Sequence, residues 1–120
     1  MGSFQILAGL ILIPGWLTAG VVSPSGADLQ LGEKIFMKRC KVCHGVRGDG
    51  KSFAASVLNP PPRNFISEKS KKELTRERMI RSVTQGRPGT AMMPWEKVLS
   101  PREIRAVVHY IRTVLIPPHE

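Results

Sequence analysis

From residue 28 onward the apolar positions recur at helical rather than alternating intervals. Leu29, Leu31, Ile35 and Phe36 form a partial stripe, which predicts a helix over about 28–42. Gly45-Val46-Arg47-Gly48-Asp49-Gly50 must be a loop, because three glycines in six residues interrupt any regular element. Leu58-Asn59-Pro60-Pro61-Pro62-Arg63 reads as extended chain, since proline fixes φ and removes a backbone donor. A second helix is expected from Thr75, a natural cap with Leu74 and Met79 as a flanking apolar staple, to Gly86. Residues 86–95 are loop again. Ser100-Pro101-Arg102-Glu103 has the form of a capping box with proline at the first helical position. Ile104, Val107, Val108, Ile111 and Leu115 follow at helical spacing until Pro117-Pro118 stops them. No alternating strand pattern and no internal repeat occurs, so the expected class is all-α.

The first 27 residues have a different character. No charged side chain precedes Asp28, and Phe4 to Val22 is nearly all apolar, with Ile6–Ile13 an unbroken run that Pro14-Gly15 ends. The segment reads as a secretory signal with a small-residue site at Ser25-Gly26-Ala27, or as a membrane anchor, for which about 20 apolar residues suffice. Either reading divides the chain into 1–27, signal or anchor, and 28–120, the working domain. Both make it an exported protein, periplasmic and either soluble or held at the membrane by residues 4–22.

Composition narrows the chemistry further. A chain of 120 residues holds one small domain, yet aromatic residues make up only 6%, so something other than aromatic side chains must fill its centre. Eighteen Lys and Arg against nine Asp and Glu give a net charge of +9, which favours acidic partners. Arg76, Arg78, Arg81 and Arg87 would suit a phosphate stripe. Export argues against nucleic acid, and acidic redox proteins are the expected partners, met through a small transient interface.

The two cysteines stand in Cys40-Lys41-Val42-Cys43-His44, the C-x-x-C-H spacing of covalent haem attachment. Two thiols three positions apart at a helix end can add to two vinyl groups of one porphyrin. The histidine that follows then lies under the iron as an axial ligand. A thioredoxin-type pair would need a βαβ context, which is missing, and a zinc finger a further close ligand pair, which His109 and His119 do not make.

Around this motif, residues from about Leu31 to Arg112 resemble a class I (mitochondrial-type) monohaem cytochrome c. Gly32 and Phe36 match the N-terminal helix pattern of that family, and Val107-Val108-His109-Tyr110-Ile111 matches its C-terminal helix, whose aromatic meets the glycine. Gly89-Thr90-Ala91-Met92, with Pro94-Trp95 after it, resembles the loop that carries a methionine ligand. The resemblance implies three main helices and loops wrapped around one covalently attached haem c. It implies His44 and a methionine on the iron, a pairing that raises the reduction potential because a soft thioether favours ferrous iron. Trp95 stands three residues after Met92, the family spacing, which makes Met92 first choice. Pro94 directly follows Met93, which makes Met93 the second. In the family a proline carbonyl accepts the N–H of the axial histidine; Pro60, Pro61 or Pro62 is expected there, with Pro61 as the choice. Arg63 is placed to reach a haem propionate, and Trp95 to pack on the ring or bond a propionate. A solvated arginine and a core aromatic are the plainer alternatives for these two. His109 is expected on the exposed side of the last helix.

These readings converge on a one-electron carrier, a monomer or part of a complex, with no bond made or broken in a substrate. A membrane-anchored haem subunit of a larger oxidoreductase is the alternative. An open iron site would instead imply a gas sensor or peroxidase-like enzyme.

Overall fold

In the computed structural model, which describes residues 1–3, 9, 15, 25–116 and 118, each α-helix that follows a loop begins where a hydroxyl replaces a missing carbonyl. Helix α1 spans Gly26–Ile35 and is capped by Ser25, whose Oγ accepts from Asp28 N at 3.3 Å while Asp28 accepts from Ser25 N at 3.2 Å. The small residues read as a processing site are thus the cap and first turn of a helix. One π-type turn, Phe36–Cys40, continues the rod into the short α2, Lys41–His44, so the predicted helix over 28–42 is present with one widened turn inside it. Helix α3, Glu68–Glu73, starts at Ser67 in a run whose charge gives no helical periodicity to read. Thr75 caps α4, Arg76–Gln85, through Arg78 N at 3.2 Å, as predicted. The predicted capping box opens α5, Pro101–Tyr110, with Ser100 Oγ accepting from Glu103 N at 3.2 Å and Glu103 Oε1 from Ser100 N at 2.9 Å. Among the described residues there is no strand, and the fold is all-α.

α1 and α5 make the principal helix–helix contact. It is possible because Gly32 has no side chain. A Cβ there would lie 2.0 Å from the Ala106 carbonyl oxygen and 2.8 Å from Tyr110 Cβ. One turn further on, Phe36 meets Tyr110 with ring centroids 5.6 Å apart and tilted by 46°. Phe36, Val107 and Val108 are fully buried at this crossing, and an Asp28–Arg102 ion pair of 3.0 Å ties the helix starts together. α4 adds Met79 and Val83 to the same core from the other side of α5.

Residues 86–95 return under α4. Gly86 has φ of 70°, and a Cβ on it would meet Met92 O and Pro94 N, each at 2.7 Å. The return is pinned by Arg87 N to Met92 O at 3.0 Å and Trp95 N to Val83 O at 2.9 Å. His109 is half-buried and pairs with Thr113 Oγ1 at 3.3 Å.

The apolar segment 4–22 and the stop at Pro117 lie outside the described residues, apart from Gly9 and Gly15. Among the described residues no helix is long and apolar enough to cross a membrane.

Gly32→Ala should destabilise the protein despite the better helix propensity of alanine, worth about 1 kcal/mol. Overpacking costs about 1–3 kcal/mol, and here the obstructing atom is backbone that cannot rotate away. A lower denaturant midpoint with an unchanged slope would show this; a midpoint at or above wild type would contradict the crossing.

Candidate functional site

The attachment motif begins at the end of the π turn. Cys40, Cys43 and His44 then line one wall of a cavity of about 370 Å³. The His44 ring is held twice. Phe65 stacks on it with centroids 4.6 Å apart and planes 16° off parallel. Its Nδ1 lies 3.1 Å from the Arg63 carbonyl oxygen. A carbonyl can only accept, so Nδ1 carries the proton and Nε2 keeps its lone pair for a metal. Burial holds the imidazole pKa below the ordinary 6.5, against the smaller opposing pull of the Arg63 carbonyl, and so keeps the ring neutral and able to coordinate. Burial, with the neighbouring Cys43, pushes the Cys40 thiol up to about 11, far from the low values of thiol–disulfide catalysts. Among the described residues no group of three or more His, Cys, Asp and Glu is placed to hold a metal ion.

The remaining walls are mostly apolar: Leu58 and Pro61 beside the motif, Leu74, Met79 and Val83 from α3–α4, Val107 and Ile111 from the last helix. Met92 closes the cavity from the returning loop. It is half-buried against the core, its N–H donating to Thr90 Oγ1 at 3.1 Å. Met93 also reaches the cavity but is 47% exposed. Trp95 is half-buried at the wall. Arg39, Arg78 and Arg87 line the cavity as well.

A sequence model of the cytochrome c family matches residues 29–115. The chain belongs to the cytochrome c family. This cytochrome c is 30% identical to cytochrome c55X of Stutzerimonas stutzeri over 105 residues, which cover 85% of the chain and 79% of that protein. It is 31% identical over 97 residues to the cbb3-type cytochrome c oxidase subunit FixP of Bradyrhizobium diazoefficiens, covering 80% of this chain but only 31% of FixP. Of solved structures, the KustC0563 c-type cytochrome superposes with a TM-score of 0.58 at 31% identity, over 68% of this chain and 93% of that one. A chain of the Kuenenia stuttgartiensis reducing HAO-like protein complex superposes with a TM-score of 0.70 at 28% identity, over 80% and 47%.

Cytochromes c carry covalently bound haem c with its iron, and Cys40 and Cys43 with His44 fit the attachment motif. The residues present suit that group: two thiols and an oriented imidazole on one wall, and a cavity bounded largely by aliphatic and thioether side chains, with arginines among the lining.

One expectation about the surroundings of His44 needs revision. The carbonyl that meets its N–H belongs to Arg63, not to Pro60, Pro61 or Pro62. The register of this extended run is set further on, where Phe65 N donates to Gly48 O at 2.7 Å and the Phe65 ring covers the imidazole; two residues back, the Arg63 carbonyl faces Nδ1. Pro61 keeps only a place on the cavity wall. Arg63, expected to reach a propionate, lines the cavity, and its guanidinium donates from Nε to Ser70 Oγ at 2.9 Å and from Nη2 to Glu73 at 2.6 Å. Phe65 and Ser70 also belong to the site, and sequence reasoning misses both. The aromatic in Arg63-Asn64-Phe65 is the one available hint.

The Arg63 hydrogen bond, followed by the nearby Lys69, Arg63 and Arg78 charges, holds the Glu73 carboxyl below its ordinary 4.5. A depressed folded pKa stabilises above the unfolded value and loses that contribution as pH falls through the folded one. Stability measured by denaturation should therefore decline as pH drops below about 4.5. Glu73→Gln should be less stable than wild type at pH 7 and lose less on acidification. Parallel pH curves for the two proteins would refute the pairing.

Proposed function

We propose that this cytochrome c transfers single electrons through a haem c joined to Cys40 and Cys43, with His44 and Met92 as its axial ligands. The carrying observation is that an oriented, neutral imidazole and a half-buried thioether line one apolar cavity from different elements. Bound haem supplies the one-electron couple. His44 presents Nε2 in a fixed tautomer, and Met92 offers a donor that no physiological pH protonates. The aliphatic part of the wall offers an iron site little polar reorganisation when the charge changes. Met92 is preferred to Met93 because its side chain is partly buried against the core while Met93 is 47% exposed.

Docking is assigned to the surface beside the attachment turn. Val42 and Phe53 stand exposed there, Phe53 at 91%, with Lys38, Arg39, Lys41 and Lys51 exposed around them in the chain. A small apolar contact within a positive field suits brief encounters with acidic redox proteins. FixP is a subunit of an oxidase, which supports a second reading of this chain as the haem subunit of a larger oxidoreductase. Retention of residues 1–27 as an anchor would fit that reading, and their removal a soluble periplasmic carrier. Membrane fractionation of the exported protein separates the two.

The reduced protein should show a c-type haem spectrum that carbon monoxide leaves unchanged. Met92→Ala should open the iron and shift the spectrum on adding the gas, and Met93→Ala should not. Reversed effects would make Met93 the ligand. A wild-type spectrum that carbon monoxide shifts at once would replace electron transfer with gas binding or peroxidase-like chemistry.

A further inference from the structure

Arg63 does two things with one residue. Its carbonyl accepts from the His44 ring, and its guanidinium grips α3 through Ser70 and Glu73. We propose that this grip makes Arg63 a positioning residue for the axial imidazole, fixing the carbonyl against Nδ1–H and so setting the reduction potential of the iron. The inference rests on the reading of His44 as an iron ligand.

The local backbone explains why a side chain is needed. Pro60, Pro61 and Pro62 have no N–H, so the approach to Arg63 donates no backbone hydrogen bond to the body of the protein. On the far side, Phe65 N is bonded to Gly48 O, and Asn64 O receives the hydroxyl of Ser70. Ser70 is completely buried and serves both neighbours, accepting from Arg63 Nε and donating to the Asn64 carbonyl. Arg78 also approaches Glu73, at 3.7 Å, which keeps the carboxylate directed at this corner. The segment facing His44 is therefore held from α3 by side chains and from beyond by the Phe65 amide, the three prolines before it donating nothing.

The electronic consequence has a definite sign. A strong N–H···O=C bond makes the imidazole a better donor and favours ferric iron; a loosened bond favours ferrous iron and raises the potential. Simple loss of a positive charge near the iron acts in the opposite direction, because it disfavours the more reduced state. So does the loss of an arginine that neutralised a propionate. The direction of the shift therefore separates positioning from charge.

The test uses the haem-loaded protein and its Arg63→Met, Arg63→Lys and Ser70→Ala variants. Potentiometry gives the midpoint, and proton NMR of the ferrous protein gives the solvent exchange of the His44 Nδ1–H. Arg63→Met should favour ferrous iron by about tenfold, a rise of about 59 mV for a one-electron couple, with faster Nδ1–H exchange. Arg63→Lys keeps the charge but cannot span both partners, and should fall between wild type and Arg63→Met. Ser70→Ala changes no charge and should raise the potential less than Arg63→Met; it carries the test alone if Arg63→Met fails to fold. A lowered or unchanged potential with Nδ1–H exchange as in wild type would overturn the proposal. A wild-type protein without a histidine-ligated haem c spectrum would instead overturn the reading beneath it.

Discussion

The backbone contact between α1 and α5 at Gly32 governs the rest of the structure. With no Cβ in the way, the α1 axis comes close enough to Ala106 for Phe36 to bury itself entirely against Tyr110. That fixes where the rod lies when it reaches the π turn, and the extra residue in that turn changes its phase. Cys40, Cys43 and His44 line the cavity from there.

The cavity then resolves the shortage of aromatic residues. The buried side chains are mostly aliphatic and are arranged as a shell, with Leu74, Met79, Val83, Val107 and Ile111 each touching both the core and the hollow. Such a shell has too little to pack against unless its centre is occupied. A covalently held planar ring system supplies that centre. For a protein of this size the cofactor is then as much a part of the hydrophobic core as a reagent, and stability and redox chemistry share the same contacts.

Features that depend on near neighbours in the chain are legible in the amino-acid sequence. The caps at Thr75 and Ser100 and the C-x-x-C-H motif are of this kind, and each is found in place; glycine at position 32 answers to a distant helix and is legible only through the family pattern. The helix 28–42 is legible too, but the widened turn within it is not, because it answers to the packing of Phe36 on a helix from the far end of the chain. The carbonyl partner of His44 is hidden for a similar reason. Three identical prolines offer no local mark of register, and the register comes from Phe65 on Gly48 and Ser70 on Asn64. α3 gives no signal because its six residues are nearly all charged and its single buried one is a serine. Its importance lies in a hydrogen-bond network that no periodicity displays.

The proline run also matters before the cofactor arrives. Exposed extended segments are where neighbouring molecules pair strand to strand. Pro60-Pro61-Pro62 offers carbonyls but not one amide hydrogen, so a foreign strand laid along it finds half a ladder. The stretch that must stay extended to pass beside His44 is thus the one least able to template aggregation, which gives the unloaded chain time to be completed.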